Sequence, residues 1–313
     1  MSRYHRVHMA IDCRDSEVYR CLFQLPNALS EAQEAVADVS TSNGKKNLLN
    51  KNKLIVGLVD PSYWITDIIK THHYLRSAVA GVYNFGVFHF RHEKYKKSYL
   101  EHKTPTSNWN SYPLLAGGLI FGNQISRSLH KSIGSFVTKQ SDLLELTRMF
   151  IASNFFSMGF NTESFVLGEC LRRINSENKY QVAVSFADPY SEHSGTIYRT
   201  SNFLLNMPGK LLSDMYTYSL DGIKWISPQS LSRKQIPTNL EGLIKYCKLN
   251  HKGKTVTIRR ICNKLRYVYV FGKNQKEKED KIKNLKHPVL KNNQIRDLME
   301  HFEENKYEET FRF

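Results

Sequence analysis

The chain has 313 residues, of which 41% are hydrophobic and 24% are charged, a balance that excludes a wholly disordered protein. Lysine and arginine exceed aspartate and glutamate by 16, which predicts a polyanionic partner, nucleic acid above all. The five cysteines are widely spaced without a Cys-x-x-Cys pair, so we expect neither a disulfide framework nor a cysteine zinc site, and a reducing cytoplasm is favoured. No apolar run approaches the roughly 18 residues of a transmembrane helix.

Composition divides the chain into four predicted segments. Residues 1–53 form an amino-terminal extension that ends in a polar linker, and residues 54–212 form the core of the domain. Residues 213–291 are predicted to supply basic strands that complete that domain, and residues 292–313 form an acidic tail, either a surface helix or disordered.

Apolar patterning predicts the elements of the core. Strands are expected at Leu54–Val59, Ala80–Phe90, Leu114–Phe121 and Leu143–Ile151, and helices at Ser62–His73 and Thr162–Ile174. The second and third of these strands are expected to be antiparallel neighbours. The helix that begins at Thr162 is followed by another strand, which indicates a crossover between parallel neighbours.

The stretch from Gln181 to Phe203 organises the rest of the chain. Val182, Val184 and Phe186 alternate with small residues, which predicts a strand over Gln181–Ala187 that stops at Asp188-Pro189. A polar loop follows, and Gly195-Thr196 opens a helix-like run to Phe203. Because ligands of open α/β sheets bind at the carboxyl ends of strands, we expect a site here.

Asp188 and His193 allow three interpretations. The carboxylate can orient the imidazole as a general base. With His72 and His73, the same side chains can instead bind a divalent transition metal. In the third interpretation Asp188 only satisfies backbone amides in a surface loop.

Tyr198 and Asn202 lie four residues apart, which would place them on one face of a short helix. A tyrosine there could protonate a leaving thiolate, or its ring could simply pack under the sheet.

The carboxyl-terminal third carries most of the positive charge. Between His251 and Lys291 there are thirteen Lys and Arg against three Asp and Glu. Strands are predicted over Met215–Leu220, Thr255–Ile261 and Arg266–Phe271, and Asp221-Gly222 predicts a tight hairpin. A face that binds double-stranded DNA is predicted from the residues Lys252, Lys254, Arg259, Arg260, Lys264, Arg266 and Tyr267.

One combination of motifs resembles a known family. Ser185-Phe186-Ala187-Asp188 is followed by His193-x-Gly195-Thr196-Ile197-Tyr198 and by Ser201-Asn202-Phe203. These residues resemble the signature of the bacteriophage Mom family. Members of that family are similar to GNAT acyltransferases and modify adenine in phage DNA to N6-methylcarbamoyladenine, which blocks host restriction. Further landmarks in the same order include His72-His73-Tyr74 and Lys264-x-Arg266-Tyr267-Val268-Tyr269.

The resemblance implies an α/β (α+β) GNAT-like fold, a central mixed sheet splayed between its fourth and fifth strands and flanked by helices. It implies an active cleft between Arg148, the Asp188–Asn202 segment and His73-Tyr74, with Tyr74 among the catalytic residues. The donor would be acyl-CoA or acetyl-CoA, held by Arg148 and by a loop at a helix amino terminus that contains Ser157, Gly159, Asn161 and Thr162. Gly159 is the single glycine of that loop, so a route assisted by a metal such as iron stays open.

The resemblance also implies a phage-encoded enzyme that acts on double-stranded DNA in the host cytoplasm, away from membranes. Two other functions stay open. One is a GNAT-type acyltransferase that acts on tRNA or on another modified base. The other is a non-catalytic DNA-binding protein that opposes restriction.

Overall fold

The computed structural model describes residues 54–58, 81–89, 94, 114–123, 126–151, 162–191 and 193–313. Several predicted features lie outside these residues: the amino-terminal extension, the helix over 62–73, His72, His73 and Tyr74, and the loop residues Ser157, Gly159 and Asn161.

Eleven strands and six α-helices are found in the described residues. The strands are β1 (Leu54–Leu58), β2 (Tyr83–His89), β3 (Leu114–Gly122), β4 (Leu143–Ile151), β5 (Val182–Ala187), β6 (Leu204–Asn206), β7 (Leu212–Ser219), β8 (Thr255–Cys262), β9 (Leu265–Val270), β10 (Val289–Leu290) and β11 (Glu308–Arg312). The helices are α1 (Thr162–Asn175), α2 (Thr196–Thr200), α3 (Pro228–Arg233), α4 (Leu240–Asn250), α5 (Gln275–Lys283) and α6 (Asn292–Asn305). The molecule is therefore a mixed α/β protein, as predicted.

Eight strands form one mixed sheet in the order β1-β2-β3-β4-β5-β9-β6-β10. The first four strands are antiparallel neighbours, which confirms the predicted pairing of β2 with β3. β4 and β5 are parallel and are joined by α1, as the strand–helix–strand succession predicts.

The ladder between β4 and β5 is short. It joins three residue pairs and ends at Glu145 and Val184, although β4 continues to Ile151 alongside β3. One position further on, the Ser185 hydroxyl donates to the Leu146 carbonyl at 3.2 Å, so a side chain replaces the ladder bond. The two parallel strands are therefore paired over the first half of β5 and the first third of β4.

The described residues divide into two compact units. One contains the residues up to Ser185 together with Thr200–Asn202 and Tyr269–Asn284, and the other contains Phe186–Arg199, Phe203–Val268 and Leu285–Phe313. The boundaries predicted at residues 53, 212 and 291 stay predictions. Among the described residues, no helix is both long and apolar enough to span a bilayer.

The first unit is built around α1. Its apolar residues recur every three or four positions, so Val166, Leu167, Cys170 and Leu171 form one buried stripe. The helix contacts β1. Arg172 and Arg173 lie in its last turn, where positive charge is favourable to the helix dipole.

The second unit contains a three-stranded antiparallel sheet in the order β11-β8-β7. Its inner face packs with α3 and α4 into a core that includes Tyr218, Leu231, Leu243 and Ile258. The acidic tail was predicted as a helix or as disordered, and the structure adds the edge strand β11 after α6.

The predicted hairpin at Asp221-Gly222 is wrong. β7 pairs with β8, not with a strand that follows the turn directly. The carboxylate of Asp221 instead accepts from the backbone N–H groups of Ile223 at 2.8 Å and Lys224 at 2.7 Å, which builds a local loop.

Candidate functional site

The loop after β5 is folded tightly on Asp188. Its carboxylate accepts from the Tyr190 N–H at 3.1 Å, and its carbonyl accepts from the N–H groups of Ser191 at 3.0 Å and His193 at 3.4 Å. Asp188 thus satisfies a backbone amide, as one of the three interpretations expects, and it brings the backbone of His193 back toward the strand end. The His193 side chain is exposed.

The helix after this loop is shorter than predicted. α2 ends at Thr200, and Asn202 takes the left-handed conformation with φ of 64°. The Phe203 N–H then donates to the Tyr198 carbonyl at 2.9 Å, which closes the helix end. The prediction that Tyr198 and Asn202 share a helix face is therefore wrong, and Asn202 is a terminating residue, a position that asparagine tolerates.

Tyr267 on β9 locks the loop in place. Its hydroxyl donates to the Ser194 carbonyl at 2.5 Å, and its ring lies directly against Gly195. Gly195 has φ of 72°, and a Cβ at this position would collide with the ring and lie 2.7 Å from the tyrosine oxygen. Glycine is therefore required twice over, for its backbone conformation and for the close approach.

The same ring holds Tyr198. Its centroid lies 5.1 Å from the Tyr198 ring, which also packs on Phe203 at 5.6 Å. Burial raises the pKa of Tyr267 to about 12, with Tyr198 adding to the increase and Arg199 opposing it. The phenol of Tyr267 is therefore neutral at cellular pH and acts here as a hydrogen-bond donor.

Arg259 on β8 is held between two aromatic rings. Its guanidinium carbon lies 3.8 Å from the centroid of the Trp225 ring and 4.4 Å from that of Tyr190. Planar guanidinium stacks well on such faces, and the contact is stronger when water is excluded. Tyr190 also donates its hydroxyl to the Arg260 carbonyl at 2.9 Å, and burial raises its pKa to about 12.

Acidic groups oppose the cost of burying this arginine. Desolvation lowers the pKa of Arg259, while the charges of Asp188 and Glu308 act in the opposite direction. Glu308 on β11 is the cross-strand partner of Arg259. Burial raises the pKa of the nearby Cys262 thiol to about 12, with the Asp188 charge as a further cause, so the thiol stays protonated. Arg259 is therefore a positive charge near Asp188 that the sequence did not indicate.

The predicted DNA-binding residues divide into exposed and buried sets. Arg266 is only 2% exposed, and its Nε donates to the Asn206 carbonyl at 2.9 Å. Desolvation lowers its pKa to about 10. Tyr267 is fully buried in the same strand. Both predictions of an exposed DNA contact are therefore wrong, because the interleaved basic and aromatic residues lie in an interior strand.

The remaining basic residues differ in whether other groups of the protein bind their side chains. Arg260 donates to the Ser213 carbonyl at 2.7 Å and forms an ion pair with Asp214 at 2.9 Å. Lys252, Lys254 and Lys264 are exposed.

Two further predicted residues lie in the first unit. Arg148 lies on β4, where its guanidinium donates to the Thr147 carbonyl at 2.6 Å. Thr162 is the first residue of α1 and is fully buried. Within the described part of the chain, no cluster of three or more His, Cys, Asp and Glu side chains is placed to hold a metal, and His72 and His73 lie outside it.

Sequence reasoning missed Tyr190, Trp225 and the true role of Tyr267. Tyr190 follows the Asp188-Pro189 stop directly, and Tyr267 belongs to the second motif. The two motifs lie far apart in the chain, and no pattern in either of them indicated that Tyr267 contacts the loop after β5. Trp225 had no such signal, because its partner Arg259 is distant in sequence.

The contact between Gly195 and Tyr267 can be tested with alanine. Gly195→Ala should combine the left-handed strain of about 1–2 kcal/mol with an overpacking cost of about 1–3 kcal/mol against the ring. Gly253→Ala is the matched control, because Gly253 has φ of 74° and nothing within 4 Å of an added Cβ. The free energies of unfolding come from denaturant titration.

A double-mutant cycle completes this test. In a Tyr267→Ala background, Gly195→Ala should cost no more than Gly253→Ala, because the ring is gone. Equal costs for the two glycine variants in the wild-type background would contradict the collision.

A search of curated proteins finds no match. The model of the Mom protein family matches residues 54–289, a span that contains β5, the Asp188–Phe203 segment and the Tyr267 strand. Because the match covers well over half of the 313 residues, the chain belongs to the Mom protein family.

Proposed function

We propose that the chain modifies the N6 amine of adenine in double-stranded DNA and so protects a phage genome from host restriction. Family membership supports a role in phage DNA modification. The observation that carries the finer proposal is the signature loop itself, which follows a buried strand and is fixed by Tyr267 on Gly195. This contact holds the loop in one conformation, which a catalytic arrangement of side chains requires.

A GNAT-like transferase is proposed on the topology of β4 and β5. These parallel neighbours are bonded over three residue pairs, and the ladder then stops. The resemblance expects a splay at this point, where a donor can reach unpaired backbone groups. Strand ends in α/β sheets are also the usual places for ligands.

The chemistry requires a base and an activated donor. The lone pair of the adenine amine is delocalised into the ring, so attack on a carbonyl carbon must be accompanied by loss of an amine proton. We assign that proton to His193, with Asp188 on the same turn as its supporting carboxylate. Tyr198 is assigned as the acid that protonates the leaving group, and its ring is held by Phe203 and Tyr267.

The function is tested by mass spectrometry of nucleosides from cells that express the chain. A modified adenine nucleoside is expected in digested DNA and not in tRNA. Asp188→Asn, His193→Ala and Tyr198→Phe should each lower its amount by about 100-fold or more, the usual loss for an acid or base. The melting temperature of His193→Ala should stay near that of the wild type, since His193 is exposed.

Two results would contradict this assignment. A modified nucleoside found in tRNA alone would show that the substrate is tRNA and not DNA. Full protection of DNA against restriction nucleases by all three variants, with no modified nucleoside, would instead favour a binding protein without chemistry.

For the donor we propose acyl-CoA, with its pyrophosphate on the backbone N–H groups of the Ser157–Thr162 segment, Gly159 and Asn161 included, and with Arg148 as a second, positively charged group that binds it. The amino terminus of a helix offers free N–H groups and a partial positive charge. Thr162 begins α1, so the segment leads directly into such a terminus. By resemblance, Tyr74 adjoins the reacting group. A metal such as iron held by His72, His73 and His193 is the rival.

Calorimetry and chelation distinguish the acyl-CoA route from the metal-assisted route. Acetyl-CoA should bind the full chain, the binding should be lost in Gly159→Trp, and DNA modification should be indifferent to chelators. The proposal fails if acetyl-CoA does not bind and if chelation abolishes a modification that added iron restores.

DNA binding is proposed through the exposed lysines of the second unit, Lys252, Lys254 and Lys264. These three side chains are available for phosphates, unlike Arg266. Their sequence neighbours lie on β8 and in the loops at its ends.

Reversing these three charges should flatten the salt dependence of DNA affinity. Each lost phosphate contact lowers the log–log slope by about 0.9, so the Lys→Glu triple variant should lose up to about 2.7. A Lys→Arg triple variant keeps the charges and should keep the slope. The footprint lies elsewhere if the reversed variant binds with unchanged affinity and slope over a range of salt concentrations.

A further inference from the structure

The loop between β7 and α3 carries an apolar side chain that is largely exposed to solvent. Ile223 is 80% exposed, and Leu220 at the start of the same loop is 45% exposed. Lys224 follows Ile223 and is exposed as well. A single exposed apolar residue needs no explanation by itself. The exposure of Ile223 does need an explanation, because the loop that carries Ile223 is held in one conformation.

Five hydrogen bonds order the loop. The Asp221 carboxylate accepts from the Ser219 hydroxyl at 2.9 Å as well as from the N–H groups of Ile223 and Lys224. The loop is closed by the Ile226 N–H, which donates to the Tyr218 carbonyl at 3.1 Å, and by the Thr217 hydroxyl, which donates to the Ile226 carbonyl at 2.5 Å. The backbone bonds to Asp221 lower its pKa, so the carboxylate stays charged in this role. Ile223 is therefore presented on an ordered loop and does not need to be ordered by a partner.

The loop is also connected to the candidate site. Trp225, two residues after Ile223, stacks on Arg259, which in turn lies on Tyr190. Tyr190 belongs to the turn that Asp188 organises. Two residues span at most about 7 Å of chain, so the tip lies close to this stack.

We infer that Ile223 is a wedge that enters the base stack of double-stranded DNA when a target adenine leaves it. The inference rests on the proposed function. The N6 amine of adenine takes part in base pairing, and enzymes that modify a paired base must first extrude it. The vacated stack is apolar and flat, and proteins fill or open such steps with leucine, isoleucine or methionine side chains. Lys224 next to the wedge is placed for the flanking phosphate.

Leu249 provides the matched control. It is 63% exposed and apolar like Ile223, but it lies in the last turn of the regular helix α4, where it does not project from a loop. If exposed apolar area alone mattered, the two residues would behave alike.

The test compares the full-length wild type with Ile223→Ala, Ile223→Leu and Leu249→Ala. Purified protein is mixed with duplex plasmid DNA and treated with permanganate, which oxidises thymines that are unstacked, and the reactive positions are mapped by primer extension. Ile223→Ala should lower thymine reactivity by about tenfold, because nothing holds the step open. Ile223→Leu and Leu249→Ala should remain within about twofold of the wild type on the same reasoning about a wedge.

The affinity for duplex DNA and the amount of modified adenine are measured for the same variants. Binding to duplex DNA should change by less than about threefold in Ile223→Ala, because phosphate contacts supply most of the affinity. Modified adenine in the DNA of expressing cells should fall along with permanganate reactivity. Melting temperatures should not move, since Ile223 contacts little in the free protein.

The wedge is overturned if Ile223→Ala keeps the permanganate pattern of the wild type, or if Leu249→Ala loses it equally. The permanganate experiment needs no donor molecule, so it decides the wedge independently of catalysis. Wild-type protein that unstacks DNA but leaves no modified adenine in cells would overturn the proposed function and not the wedge.

Discussion

The contact of the Tyr267 ring with Gly195 is the constraint on which the candidate site depends. It joins a loop to a strand more than 70 residues later, by one hydrogen bond to the Ser194 carbonyl and by a surface that admits no side chain. The same ring sets the position of Tyr198. The Asp188–Phe203 motif and the motif that contains Tyr267 therefore pack against each other. A substitution in either motif is expected to change the conformation of the other.

A second stack performs the same task for the turn at Asp188. The Arg259 guanidinium lies over the rings of Trp225 and Tyr190, and the charges of Asp188 and Glu308 partly offset the cost of burying it. Buried charges are costly unless they are paired. The cluster is satisfied by groups from β8, β11 and the loops after β5 and β7. The turn is thus supported by elements that are distant in the chain, and its shape does not depend on the turn residues alone.

The sequence predicted β1 to β5 and α1 to within a few residues, because apolar periodicity reports burial directly. It also placed the loop of interest at the end of β5. It failed where polar residues have unusual partners. Arg266 and Tyr267 were interpreted as an exposed basic and aromatic surface, but β9 lies between β5 and β6 and is covered on both faces, so Asn206 and Ser194 satisfy their polar atoms. Asp221-Gly222 failed as a hairpin because the aspartate bonds its own backbone. Pairings of this kind depend on tertiary contacts that no local pattern contains.

The sandwich around Arg259 also determines which substitutions natural variation can use. Lysine keeps the positive charge, but its ammonium group is strongly hydrated and has no planar face. It would therefore replace the stacked guanidinium poorly between the two rings. Glutamine keeps a planar end but leaves Asp188 and Glu308 without a cation. Neither exchange is conservative at this position, although both are common on protein surfaces. Drift at position 259 is thus expected only together with changes at Trp225 or Tyr190, so that these three positions vary as a unit and not one by one.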